Sequence, residues 1–338
     1  AGDDIRYEAK GGDAKVTGLK STAADGTAMV KASGSIVDAG ETAKDVEASA
    51  VQLVAGGSVG QKAGDGNGPL DLKAGTVAAK AGDAGSIYLS EADGLSVGTV
   101  AAINVNRVKM DSTSPETADG AALSGAEAGQ NVKIENGVDA AGGLTVDQAV
   151  TATAGDALLD ARKGALDIKA AVTAGDDATL LASANIEQAA DGDVTATAGD
   201  VLAEAGAGIA MTDGATATAG GDIRYEAKGG DAKVTGLKST AADGAVMVKA
   251  SANIVDAGET AKDVEASAAQ LIAGGSVGQK SGDGSGPLDL RVGTVAAKAG
   301  GAGSVYLSEA DALVVGKVDA INVNRVKMDS TSPATADG

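Results

Sequence analysis

The sequence predicts an all-β chain wound as a right-handed parallel β-helix, a β-solenoid with about 20–24 residues per rung drawn out into an elongated rod. Three observations predict it. Residues 1–120 and 219–338 align without a gap and with 18 differences, so the chain holds one 218-residue unit and part of a second. A shorter period runs inside that unit. Within each short period, apolar residues alternate with polar ones over four to six positions and then stop at a turn.

The long repeat comes first because it sets the organisation. "DIRYEAKGGDAKVTGLKSTAADG" starts at Asp4 and again at Asp222. Residues 1–218 form the repeat unit and 219–338 a partial second one, and the whole reads as one continuous β-helix cut from a longer tandem array. The shorter period follows from "TAGD" at Thr153, Thr173 and Thr197, "TAGG" at Thr218 and "TAAD" at Thr240, with "GTVAA" at both Gly75 and Gly98. Spacings of 20–24 residues indicate stacked supersecondary units.

Alternation decides that the units are strands. "IRYEAK" sets Ile5, Tyr7 and Ala9 against Arg6, Glu8 and Lys10, and "ALDIKA" sets Leu166, Ile168 and Ala170 against Asp167 and Lys169. Asp25-Gly26, Asp93-Gly94, Asp191-Gly192 and Asp213-Gly214 mark turns. Equivalent strands in successive rungs sit about 4.8 Å apart, so the length predicts roughly 15 rungs and a rod on the order of 70 Å. One rung buries too little to order itself and relies on like neighbours above and below. Right-handed winding follows from the general handedness of parallel connections.

Composition agrees. There is no Cys, His, Phe or Trp and only four Tyr, yet 43% of residues are hydrophobic. A narrow interior of Ala, Val, Ile and Leu fits those numbers, whereas a wide core would draw on aromatic area. The net charge of −20 argues against nucleic acid as a partner. No run of 18 apolar residues is present, so no membrane span is expected.

The catalytic inventory is short. Without His or Cys, the usual triads, thiolate nucleophiles and common zinc sites are excluded. Arg107 and Lys109 beside Asp111, with Arg325, Lys327 and Asp329 in the second copy, are the set a polysaccharide lyase would use; the competing reading is solvated strand charges, and no catalytic residue is assigned. "GGSVGQKS" at Gly274 is no phosphate loop, because Gln279 separates Gly278 from Lys280 and Ala63 replaces Ser281 in the first copy. Asp156, Asp176 and Asp200 follow "TAG" in successive rungs and would stack about 5 Å apart, which makes them candidate Ca2+ ligands; the competing reading is turn aspartates bonded to their own backbone. "GDGNG" at Gly64 matches no calcium-loop spacing. Residues 110–130 lack alternation, contain Pro115 and read as a loop excursion.

"GSVG" at Gly57, "GPLDL" at Gly68, "GTVAA" at Gly75, "GSIYLS" at Gly85 and "LSVGTV" at Leu95 recur from Gly275 onward. This set resembles the repeat region of filamentous-haemagglutinin-type exoproteins, the large β-helical adhesins exported by two-partner secretion. The resemblance implies a right-handed β-helix on the bacterial surface or outside the cell, serving adhesion, biofilm or contact. The expected function is a structural or adhesive segment of a very long protein forming a filament, stalk or matrix fibre. Its expected partners are neighbouring repeats of the same chain, identical rods laterally or end to end, and host or matrix glycans. The alternatives are a carbohydrate-active β-helix enzyme and a passive glycan-binding module. An ice-binding face has too few regularly spaced threonines among Thr151, Thr153, Thr195 and Thr197.

Overall fold

Parallel pairing dominates the chain. A computed structural model describes residues 1–40, 44–119, 121–258 and 262–335, and among them there is no helix. Apart from three short antiparallel pairs noted below, every strand among the described residues pairs in parallel with the strand one turn away. Val150–Ala152 pairs with Val172–Ala174, that with Val194–Ala196, and that with Ala217–Ala219. A second side stacks Ala157–Ala161, Ala178–Ala182, Val201–Ala205 and Ile223–Ala227. The third stacks Leu166–Ile168, Ile186–Gln188, Ile209–Met211 and Ala232–Val234. The result is an elongated β-solenoid of about 13 turns, about 60 Å at the usual strand spacing. That is fewer than the roughly 15 expected from residue count, because loops and a hairpin project from the stack without adding height.

The alternation read in the sequence becomes inside and outside. In the five-residue strands, positions one, three and five point inward; Val201, Ala203 and Ala205 are buried below, for instance, Ile223, Tyr225 and Ala227. One cluster of Val, Leu, Ile and Ala runs the length of the rod. Its single fully buried aromatic is Tyr225, which fits because Ala203 lies in register beneath it. Burial raises the Tyr225 phenol, which donates to Gln188 Oε1 at 3.1 Å.

Corners are stitched by a polar column. Backbone N–H groups at a corner leave the ladder and need acceptors. Along one corner the side-chain oxygen of each residue accepts the N–H of its equivalent in the next turn: Asp13 from Ser35, Ser35 from Ser58, Ser58 from Ser86, Ser86 from Asn131, Asn131 from Asp156. Asp177 then accepts from Asp200, and Asp200 from Asp222, at 2.9 and 2.8 Å.

The three sides do not keep their identity. In the first unit Ile5–Ala9 and Thr27–Ala32 define one side, continued by 50–55 and 76–80. Between turns four and five this side splits: Thr76 and Val77 pair with Ser96 and Val97, whereas Ala79 and Lys80 pair with Ala126 and Glu127. A corner now stands where a flat strand stood, and residues 99–124 leave the rod at that corner. Meanwhile the other two sides merge, because Ile87–Glu91 lies over both Val59 and Leu70–72. The intervening residues 61–69 loop outward at Gly60, whose φ is +67° and where a Cβ would sit 2.2 Å from the Tyr88 carbonyl oxygen. The merged side continues through Val132–Asn136 to Ala157–Ala161 and on to Ile223–Ala227, the sequence twin of Ile5–Ala9. One 218-residue unit therefore sets its copy across the rod from itself.

The expected excursion over 110–130 resolves into two parts. Residues 110–119 belong to a β-hairpin, Ile103–Asn106 paired antiparallel with Glu116–Asp119. Leu123–Ser124 closes its base against Thr99–Val100, and Ala126–Ala128 is already a rung strand; residue 120 lies outside the described residues. The second copy has the same hairpin, Val323–Asn324 against Ala334–Thr335.

Candidate functional site

The second hairpin is laid back along the rod. It runs against the merged side from the Met247 turn toward the N-terminal half, crossing Val201–Ala205, Ala178–Ala182, Ala157–Ala161, Val132–Asn136 and Ile87–Glu91. Outward-pointing residues in these strands would ordinarily be wet. Here Leu202, Thr179, Leu158, Lys133 and Tyr88 form a row that is buried. Ile321 and Val323 pack with Leu202 and Met247, and Val326 and Met328 with Leu158 and Tyr88.

Polar contacts fix the register. Val326 N donates to Thr179 Oγ1 at 3.0 Å, and Ala63 N donates to the Met328 carbonyl at 3.1 Å. Lys133 is fully buried; its ammonium pairs with Asp156 at 3.2 Å and donates to the Lys327 carbonyl at 3.1 Å and to Ser330 Oγ at 3.2 Å. Arg325 pairs with Glu204 at 2.9 Å. Burial alone would raise the Glu204 carboxyl, but Lys228 and Arg325 together hold it below the usual range.

The acidic candidates fall along the edge of this contact. The structure stacks Asp156, Asp177, Asp200 and Asp222, and Asp176 is not in the column. The motif starts at a different place: Thr173 pairs with Thr151, two positions ahead of Thr153, and the corner that follows is one residue shorter, so Asp176 falls one position short of the column. Carboxylate oxygens of Asp156, Asp176 and Asp177 lie within 4.8 Å of one another. All four stacked carboxylates already meet donors from other turns: Asp156 the Lys133 ammonium, Asp177 the Asp200 N–H and Asn324 amide, Asp200 the Asp222 and Asn324 N–H groups, and Asp222 the Ala245 N–H. Burial raises the Asp177 and Asp222 carboxyls; burial and then the charges of Asp156 and Asp200 raise exposed Asp176.

The Arg-Lys-Asp set lies at the hairpin tips. Arg107, Lys109 and Asp111 are exposed on the first hairpin, and Asp111 accepts from Thr113 N at 3.0 Å. On the second, Arg325 is engaged by Glu204 and Asp329 by Thr331, while Lys327 points to solvent. Arg325, Lys327 and Asp329 line one open depression beside Glu135, Asp160 and Arg162, whereas of the first set only Arg107 lines one, with Arg6 and Glu8. The loop containing "GQKS" closes on itself, with Gln279 N donating to the Gly286 carbonyl at 2.7 Å. Thr151, Thr173, Thr195 and Thr218 form a single outward file, which joins Thr173 and Thr218 to Thr151 and Thr195, whereas Thr153 and Thr197 stand at the corners after those strands.

Sequence reasoning missed the row Tyr88, Leu158, Leu202. Its signal was present: "IYLSE", "ALLDA" and "VLAEA" each carry a large apolar residue at an outward position, where alternation calls for a polar one. No helix is long and apolar enough to cross a membrane among the described residues. No family model, curated protein or solved structure matches this chain.

Proposed function

We propose that this chain is a length of an extracellular or cell-surface filament, a structural and adhesive segment whose product is reach rather than catalysis. The observation that carries the reading is that the ladders pass the junction between sequence units without a break. Thr195 pairs with Thr218 and Thr218 with Lys238, as any two turns within a unit do. Height is therefore additive, and each further unit lengthens the rod by the same amount. The acidic surface keeps rods apart in solution, and the resemblance to two-partner-secretion adhesins points to the same role at the bacterial surface. A polysaccharide lyase would need its Arg, Lys and acids free to meet a sugar; Arg325, Lys327 and Asp329 share one open depression, but Arg325 is paired with Glu204 there.

Small-angle scattering on the present chain and on one carrying an additional 218-residue unit tests the reading. The expected result is a rod whose length grows on the order of 40 Å per unit at constant cross-section. Growth in cross-section, or separate globules, overturns it. Incubation with acidic polysaccharides should produce no unsaturated sugar ends; their appearance would favour the lyase.

A further inference from the structure

The same fourteen letters, 102–115 and 320–333, occur in two situations in this chain. Their hairpins have one shape. Arg107 N donates to the Pro115 carbonyl at 2.9 Å and Arg325 N to that of Pro333 at 3.0 Å; Ser112 and Ser330 turn at φ of 62° and 59°. Their surroundings differ completely. Val326 and Met328 are 1% and 6% exposed, whereas Val108 and Met110 are 78% and 104% exposed.

The cause is position along the rod. The first hairpin descends its own side as the second does, with Ile103–Asn106 packed against Ile5–Ala9 and Thr27–Ala32. Ile103 is buried like Ile321. Val105 is only half-buried, while Val323 is fully buried against Leu202 of Val201–Ala205, the strand beneath Ile223–Ala227; among the described residues no strand lies beneath Ile5–Ala9 in the same way. Beyond Val105 the tip overhangs the first turn, so Val108 and Met110 have no strand beneath them. The tip keeps the docked shape without the contact, and so it is preorganised for a surface of known form.

We propose that the tip 107–110 is a clamp for a second copy of this unit standing ahead of Ala1 in the same rod. Val108 and Met110 seat on that copy's equivalents of Leu158, Leu181 and Tyr88, and Arg107 reaches its equivalent of Glu204. The surface is committed by this chain's own interface: identical residues in the second copy already make each of these contacts. Each unit thereby grips the one before it over several turns, side chain to side chain, in addition to the ladder hydrogen bonds. The inference rests on the filament reading and specifies how its units are coupled.

The chain has no cysteine, so single nitroxide labels can be placed at Ser114→Cys and Ser332→Cys, beside the tips but outside the contact. In the present chain the label at 332 is expected to be immobilised and that at 114 mobile. When a copy of residues 1–218 is placed ahead of Ala1, the label at 114 should become immobilised too. Leu158→Asp in the added copy should then release the label at 114 and leave that at 332 unchanged. A label at 114 that stays mobile in the extended chain overturns the clamp, as does immobilisation only on contact with lipid vesicles or separate rods. Scattering on the same extended chain separates the two failures: no lengthening sinks the filament reading, whereas lengthening with a mobile 114 label sinks the clamp alone.

Discussion

Replacing Glu91 by Gln should remove a pH dependence of stability centred on the middle of the first unit. Glu91 is the inward-pointing last residue of Ile87–Glu91 and is fully buried. Its carboxylate accepts the Ala74 N–H at 3.1 and 3.2 Å to its two oxygens, and Asp93 N–H at 3.4 Å. Burial pushes the carboxyl up from 4.5 to about 7, the Asp93 charge adds to this, and the backbone donors only partly offset it. The folded state therefore holds the proton more tightly than the unfolded chain does. Stability from this source is full below about pH 4.5, is lost as pH rises through 7, and stays lost above it. At 1.36 kcal/mol per unit, the loss is about 3 kcal/mol, or a few hundredfold in a local opening equilibrium. Because long repeat arrays need not unfold in one step, the suitable assay is hydrogen exchange of amides in 89–97, corrected for intrinsic rate, between pH 4.5 and 8. Wild type should lose protection across that range, and the Gln variant should hold its low-pH level throughout. Equal slopes in the two proteins would refute the assignment to this buried carboxyl.

Three further outcomes follow from the packing. Leu180→Asp, placing a charge in the one-file core, should cost at least several kcal/mol and appear in limited proteolysis as cleavage near the middle of the rod. Asp200→Ala removes the acceptor for both Asp222 N and Asn324 N; about 1–3 kcal/mol of destabilisation should show in urea titration, together with faster exchange of the second hairpin. Calcium titrated calorimetrically onto the protein should give no heat and no shift in melting temperature if Asp156, Asp177 and Asp200 act as corner staples; saturable heat abolished by Asp176→Asn would make them a cation site instead.

Much of the architecture was readable because one physical rule generates it. Strict alternation in "IRYEA" and "ALDIKA" specifies which side chains fill the core, and a 22-residue return specifies stacking. Register was harder. "TAGD" looks like a marker of equivalent positions, but at Thr173 it begins inside the strand and at Thr153 after it, and a shorter corner recovers only part of the offset, so Asp177 replaces Asp176. The hairpin escaped because "INVN" is short and its partner strand lies beyond Pro115, leaving no local signal of pairing. Its docking face escaped for a different reason: an apolar residue pointing outward, such as Leu158 or Leu202, acquires meaning only when something distant in sequence comes to cover it.

A side that splits while its opposite pair fuses means that each unit is turned about half a revolution around the rod axis relative to the last, its strands still running the same way. Odd and even units must then project their Ser-Thr-Pro tips in opposing directions, and the true axial period is two units, about 17 turns or some 80 Å. Such a fibre carries its laid-back hairpins on two opposite faces in alternation, so its two faces become equivalent only once two units are counted.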